Sequence, residues 1–311
     1  MTQIAHGQGQ MRAQSISIMT STRTRCNAGC RFCISRTTPN DNVSNAEIQE
    51  CHLNRLEIGL NYAKYLGATH AILTGKADPT QENFTYLKDV IMLAREYLPL
   101  VDMHTNGVLI HKDPEAYLKD LIDAGLTMLT FSIASFDEKI NQQLMRIRLH
   151  AKDLIKQAAE LELLVRCSVV MNKQGVHDVD SLMEYIKQAG NLGAHMVVVR
   201  EVWVPDNHEK KDESVFGWNQ QNRVDIGPIQ EQFIKISGQS TNNLGLRQRD
   251  PLPWGTPVFV VENVFDNSNH GVNVTFARCD EATKGTVIKS IVHKPDGHGY
   301  RNWDSNGDIL Y

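Results

Sequence analysis

Three cysteines, Cys26, Cys30 and Cys33, crowd into eight residues of the sequence. Spaced in this way just after a short β-rich run, they allow one loop to wrap three thiolate sulfurs around a compact metal centre. A structural zinc ion would want a fourth Cys or His close by, and the nearest histidine, His52, lies beyond the expected start of a helix. An iron–sulfur cubane instead tolerates one iron without a protein ligand. That iron can be chelated by a small molecule, as one-electron chemistry on a bound sulfonium compound requires. A zinc loop, or three cysteines that are close by chance, is the alternative. Cys51, Cys167 and Cys279 stand far apart, so the six cysteines do not describe a disulfide scaffold.

The run CNAGCRFC resembles the CxxxCxxC signature of the radical S-adenosylmethionine (radical SAM) superfamily, with the aromatic Phe32 just before the third cysteine. The resemblance implies that Cys26, Cys30 and Cys33 each bind one iron of a 4Fe-4S cluster. It further implies that the fourth iron takes the amino and carboxylate groups of S-adenosylmethionine, which is cleaved to methionine and a 5′-deoxyadenosyl radical. An electron donor such as flavodoxin or ferredoxin follows from the same chemistry. The stretch Thr74-Gly75-Lys76-Ala77-Asp78 is similar to the family's glycine-rich GxGEP element, which holds the methionine amino group. It departs from that pattern at Ala77 and Asp78, which favours contact through backbone carbonyls over contact by Asp78. Thr105-Asn106-Gly107 resembles the family's TNG turn, whose polar side chains face the cavity.

Alternation along a strand places Ser132 and Ala134 on one face, and the resemblance makes Ser132 a ribose contact. Arg166 and Ser168 share a face of an otherwise apolar strand, which calls for a polar partner within the fold. Arg166 suits a carboxylate, because guanidinium binds it through two parallel bonds; an ordinary ion pair is the alternative. Near Val199 and Arg200 the resemblance places adenine against the backbone. Arg200 and Glu201 are neighbours on a strand, so only one of them points inward.

The elements that must position these residues are written in the periodicity. Short β-rich runs at 15–20, 70–74, 101–105, 128–133, 164–170 and 195–202 alternate with amphipathic stretches at 45–66, 81–97, 114–124, 137–161 and 179–191. This pattern predicts six βα units and an α/β fold, a partial (β/α)6 TIM-type barrel with a small β-rich C-terminal extension. The charged stretch 204–223 reads as a surface loop or lid, followed by a helix at 227–236 and β-like runs at 257–262, 272–276 and 287–292. The expected division is an extension at 1–14, the core at 15–203, a linker or lid and helix at 204–250, and the C-terminal extension at 251–311.

The tail offers Cys279, a candidate donor of a hydrogen atom to a substrate radical, and otherwise a buried small hydrophobe. His293, His298 and Tyr300 lie in a turn-rich segment suited to a polar-substrate pocket. A single tail cysteine argues against an auxiliary iron–sulfur centre. The net charge of −4 gives no global field for nucleic acid, although Arg23, Arg25, Arg31 and Arg36 surround the cysteines. No apolar run has membrane-spanning length and the polar start lacks a secretory core, so a cytoplasmic location is expected. The expected substrate is a small metabolite or a peptide, to be rearranged, epimerised or joined. Peptide maturation, RNA modification and a non-catalytic iron–sulfur or zinc scaffold are the alternatives.

Overall fold

A computed structural model describes residues 11–21, 26–37, 53–110, 113–204, 212–239, 242–253, 255–262, 271–278, 287–303 and 309–311. Strands β1 (Arg12–Ser21), β2 (His70–Gly75), β3 (Leu100–Thr105), β4 (Met128–Ser132), β5 (Leu164–Met171) and β6 (Met196–Glu201) lie side by side in chain order, all parallel. Helices α1 (Leu53–Tyr65), α2 (Phe84–Tyr97), α3 (Pro114–Asp123), α4 (Glu138–Met145), α5 (Ala151–Glu160) and α6 (Val179–Asn191) connect them. The barrel-type α/β architecture expected from the alternation is therefore present.

Each helix buries one stripe. Leu56, Leu60 and Ala63 of α1, Leu87, Ile91 and Ala94 of α2, and Leu182, Ile186 and Ala189 of α6 fall at helical spacing and enter the core. They meet the strand residues of one parity: Ile16, Ile18, Ala71, Leu73, Val101, Met103, Leu129, Phe131, Val165, Cys167, Val169, Val197 and Val199. Alternation turns the other parity to the barrel interior, and there stand Ser17, Thr74, Asp102, His104, Thr130, Ser132, Arg166, Ser168 and Arg200. A barrel interior is ordinarily filled by branched apolar side chains. This one is lined with hydroxyls and charges.

Several boundaries differ from the sequence reading. The segment 137–161 is two helices, because α4 stops at Arg146, which sits at φ 56° in the left-handed region and ends the hydrogen-bond ladder on Gln142. The segment 204–223 is not all loop. It contains helix α7 (Glu213–Asn222), started by the Asp212 carboxylate, which accepts from the N–H groups of Ser214 and Val215. Strand β1 begins at Arg12, within the expected N-terminal extension. Of the helix expected at 45–66, residues 45–52 lie outside the described residues.

The C-terminal strands extend the barrel sheet itself. Strand β10 (Val287–His293) adds parallel to β1, and β9 (Val272–Ala277) adds parallel to β6. Antiparallel β11 (Gly299–Tyr300) borders β10, and β8 (Val258–Val261) and then β7 (Leu246–Arg249) border β9. The sheet order is β11-β10-β1-β2-β3-β4-β5-β6-β9-β8-β7. Helix α8 (Gly227–Ser237) is fixed to this extension by Phe233, whose ring meets Phe259 and Phe276 edge-on at 5.5 and 5.3 Å. Among the described residues no helix is long and apolar enough to cross a membrane.

Candidate cofactor site

The cysteine loop follows β1, so it lies at the C-terminal end of the parallel strands, where sites in barrel folds form. It is anchored to the end of α4. The N–H groups of Gly29 and Arg31 donate to the carbonyls of Met145 and Leu144 at 3.0 and 2.9 Å, and Arg31 Nε donates to the Gln143 carbonyl at 3.1 Å. The last turn of a helix leaves its carbonyls without intrahelical partners, and here the loop supplies them. Glycine at position 29 lets the loop pack closely on Arg146, since a Cβ there would stand 3.1 Å from Arg146 Cδ. Beyond the loop, the Phe32 ring lies 6.3 Å from that of Trp218 on α7, and Arg36 pairs with Asp212. The helix missed in the sequence thus packs against the cysteine loop.

Cys26, Cys30 and Cys33 are free thiols, each half-buried. Burial pushes the Cys26 and Cys30 thiols up, and the charges of the neighbouring cysteines push Cys30 the same way. As thiolates, Cys26 and Cys30 would be partly desolvated and would repel each other, so a multiply charged cation is what would hold them ionised. Among the described residues no three Cys, His, Asp or Glu side chains converge as ligands of one metal ion. A cluster takes one sulfur on each of three irons and does not require the sulfurs to meet at a point. The donor set, three uncrosslinked thiols on one loop, fits such a cluster.

The turns after β2 and β3 are tied together by Asp78. Its carboxylate accepts from Thr80 N and Oγ1 at 3.0 and 2.6 Å, from Thr105 Oγ1 at 2.9 Å and from Asn106 N at 2.5 Å. Burial raises its pKa while these donors lower it. Asp78 and Thr105 therefore spend their polar atoms on each other, and Thr105 does not face the cavity as its turn suggests. Asn106 does reach the loop: its Nδ2 donates to Asn27 Oδ1 at 2.6 Å and approaches Cys26 Sγ at 3.6 Å. Gln81, just past the Asp78 turn, accepts from Asn27 N at 2.8 Å. Thr74, Gly75 and Lys76 stand half-buried at the end of β2, and the Ala77 methyl is buried.

Inside the barrel, Arg166 finds its carboxylate within the chain. It pairs with Asp102 and donates to Thr130 Oγ1 at 2.9 Å, while Thr130 donates to Asp102 Oδ1 at 2.8 Å and His104 Nε2 lies 3.0 Å from Asp102 Oδ2. Burial alone would raise Asp102, but Arg166 and His104 override it and hold the carboxyl well below its usual range. The His104 imidazole is pushed down, first by burial and then by Arg166 and Arg200, against the pull of Asp102. Arg200 Nε donates to Ser168 Oγ at 3.0 Å, so of the two neighbours on β6 it is Arg200 that points inward. Glu201 faces outward and pairs with Arg223. Ser132 is half-buried on the inner face. The Val199 side chain belongs to the helix-facing core, so only its backbone is placed to meet a ligand. Asp102 and its grouping with His104, Thr130 and Arg166 escaped the sequence reading, although Asp102 and His104 two apart in an apolar strand carry the same signal as Arg166 and Ser168.

The tail residues divide. His293 faces α1, not the barrel interior: its Nδ1 lies 2.9 Å from Tyr311 Oη, and both side chains crowd Gly59. Its pKa is lowered to about 4 by burial. His298 Nδ1 lies 3.0 Å from the Tyr311 carbonyl oxygen. Tyr300 is buried with Met19 and Val292, donates to Asp296 Oδ2 at 2.5 Å and lies under Lys294, whose Nζ is 4.4 Å from the ring centroid. Lys294, only 1% exposed, was not foreseen. Cys279 lies outside the described residues. Cys167 is buried among core side chains, its thiol pushed up to about 12.

Comparison with known proteins identifies the family. The family model described as the radical SAM superfamily matches residues 20–186. A protein of Methanopyrus kandleri described as a probable GTP 3′,8-cyclase is 26% identical over 185 residues, covering 58% of this chain and 56% of that protein. The chain thus spans about half the length of this curated relative. Among solved structures, HydG, a maturase of the FeFe-hydrogenase, has a TM-score of 0.50 at 12% identity, covering 70% of this chain and 48% of the other. Coproporphyrinogen III oxidase (HemN) from Escherichia coli has a TM-score of 0.42 at 12% identity, covering 81% and 67%.

Proposed function

Because the chain belongs to the radical SAM superfamily, we propose that Cys26, Cys30 and Cys33 hold a 4Fe-4S cluster and that the barrel mouth binds S-adenosylmethionine. When bound, the pair supplies one-electron cleavage of the sulfonium compound to methionine and a 5′-deoxyadenosyl radical, which takes hydrogen from a substrate. The observation that carries this reading is the single loop of three free thiols at the C-terminal strand ends, fixed on one side to α4 and on the other to Asn106.

The chain's own residues have distinct parts. Asn106 offers an N–H to Cys26 Sγ, and an amide donor at a thiolate disperses its charge and raises the potential of the bound centre. Asp78 fixes the glycine-bearing turn, whose backbone carbonyls at the end of β2 would meet an ammonium group. Ser132 and Ser168 suit ribose and Arg200 suits a carboxylate, while Arg166 is committed to Asp102 and holds the inner face in shape. Phe32 and Trp218 cover the loop and limit water. Tyr300 and Lys294 border the interior from the β10 side and belong to the substrate end. His298 is held against the chain terminus, and His293 braces α1.

The substrate is a small metabolite or a peptide. The nucleotide in the name of the Methanopyrus kandleri relative is not carried over, since the match covers only 56% of that protein. The test is anaerobic reconstitution with iron and sulfide, followed by dithionite and S-adenosylmethionine. Formation of 5′-deoxyadenosine, lost when the three cysteines become alanine, is expected. Zinc retained at the thiols in place of iron, or no 5′-deoxyadenosine from a cluster-loaded protein, would overturn the reading.

A further inference from the structure

Asp102 draws together groups from four adjacent strands of the barrel interior. His104 lies two residues on along β3, His70 comes from β2, Thr130 from β4 and Arg166 from β5. The carboxylate is fully buried, accepts from Thr130 Oγ1 at 2.8 Å and pairs with Arg166. Its Oδ2 lies 3.0 Å from His104 Nε2, whereas His70 Nε2 stands 3.7 Å from the same oxygen, too far for a hydrogen bond. The His104 side chain is 19% exposed, and its Nδ1 is neither hydrogen-bonded within the described residues nor sealed from the open interior. Asn106, two residues further along β3, reaches Cys26, so His104 stands about 7 Å along the strand from the cysteine loop.

Two neighbours compete for His104 Nε2. Arg166 Nη2 lies 3.0 Å away and would donate to it, while Asp102 would accept from it. Asp102 decides the matter, because its carboxyl is held ionised well below the usual range and Arg166 is already paired with that carboxylate. The proton therefore sits on Nε2, and Nδ1 presents a lone pair to the interior. Burial, Arg166 and Arg200 keep the imidazole uncharged at neutral pH against the pull of Asp102, and His70, itself pushed down by burial, adds no charge.

We propose that His104 Nδ1 is the proton acceptor of the barrel interior, that Asp102 is the positioning residue behind it, and that the substrate carries a hydroxyl on the carbon that loses hydrogen. The proposal rests on the radical reading above. Once a carbinol carbon has lost a hydrogen atom, its O–H is far more acidic than that of the parent alcohol. That bond then breaks, the proton bonds to Nδ1, the oxygen keeps the electron pair, and Asp102 stabilises the imidazolium. No electron leaves the substrate in this step. A hydroxylated molecule also suits the hydroxyls and charges of this inner face, whereas an apolar one would strand them without water.

The experiment uses the full chain, isotope-labelled in its histidines, and needs no cluster. A long-range proton–nitrogen correlation spectrum at neutral pH should show His104, assigned by the loss of its signals in H104Q, with a proton on Nε2 and none on Nδ1. Titration with D-ribose, as the polyol probe, should move the Nδ1 resonance. Diethyl pyrocarbonate acylates unprotonated imidazole, so mass spectrometry should find His104 labelled and still reactive below about pH 6.5, where an ordinary imidazole is protonated. In D102N, Arg166 should donate to Nε2 and the proton should move to Nδ1, a change that loss of packing alone would not produce. The wild-type spectrum decides the tautomer by itself, so the test stands even where D102N does not fold. A proton on Nδ1 in the wild type, labelling of His104 that is absent or lost below about pH 6.5, or no response to ribose would overturn the proposal. Failure of the cofactor reading shows separately, as absence of 5′-deoxyadenosine.

Discussion

Replacing Asp78 with Asn removes one acceptor oxygen from a carboxylate that serves Thr80, Thr105 and Asn106 at once. The oxygen beside Thr80 keeps its partners if the new amide places its own oxygen there. The amide nitrogen then confronts Asn106 N–H, a donor facing a donor 2.5 Å away in a site only 5% exposed. Losing a bond to a charged acceptor costs about 1.5–3 kcal/mol, and the stranded N–H adds about 1–3 kcal/mol. Relief of the burial that opposes ionisation of Asp78 returns part of this. The expected net loss is about 3 kcal/mol, read from urea unfolding midpoints at neutral pH. Because Asn106 also reaches Cys26, reconstituted D78N should lose iron faster to a chelator than the parent. A stability loss under about 0.5 kcal/mol, within the range of ordinary surface changes, would refute the assignment of Asp78 as the acceptor that fixes both turns.

Acid should weaken the fold before it reaches the carboxylate range. His70 and His293 are both held down to about 4 by burial, so between pH 6.5 and 4 the unfolded chain binds protons that the folded chain refuses. Stability is therefore full above about pH 6.5 and falls as pH drops toward 4, by up to about 3 kcal/mol for each histidine, and H293N should remove its share from a urea titration. Truncating Phe233 to Ala empties the centre of the Phe259–Phe276 cluster and should cost about 3–5 kcal/mol in the same assay. Two glycines should respond with opposite signs in thermal melts. Gly193 has φ +94° and a Cβ there would stand 2.7 Å from Ala159 Cβ, so G193A should lower Tm; Gly217 lies within α7 with nothing within 4 Å, so G217A should raise stability by up to about 1 kcal/mol.

Much of this fold was legible because its signals are local. The six core strands and the helices between them follow from runs of matching period, and the structure then caps α2 with the Asn83 side chain and α3 with that of Asp113. Where the sequence reading failed, tertiary contact outweighed pattern. Helix α7 has little amphipathic stripe and is held by its Asp212 cap and by Phe32. The break after Met145 depends on one left-handed residue that lets the cysteine loop reach the end of α4.

The sequence by itself determined the chemistry on offer: three thiols at fixed spacing on one loop, after a strand, in an alternating α/β chain. Such a motif is a short-range fact, since covalent spacing alone limits how far its sulfurs can part. Only the tertiary structure decided which polar groups face the site. Strand register set Arg166 against Asp102, and crossing turns gave Asp78 to Thr105 and Asn106. His293 is turned toward α1 by its parity on β10, which was fixed only when that strand joined β1 across some 270 residues of chain. Those outcomes depend on pairing between distant segments, and no single stretch of sequence encodes the partner it will meet.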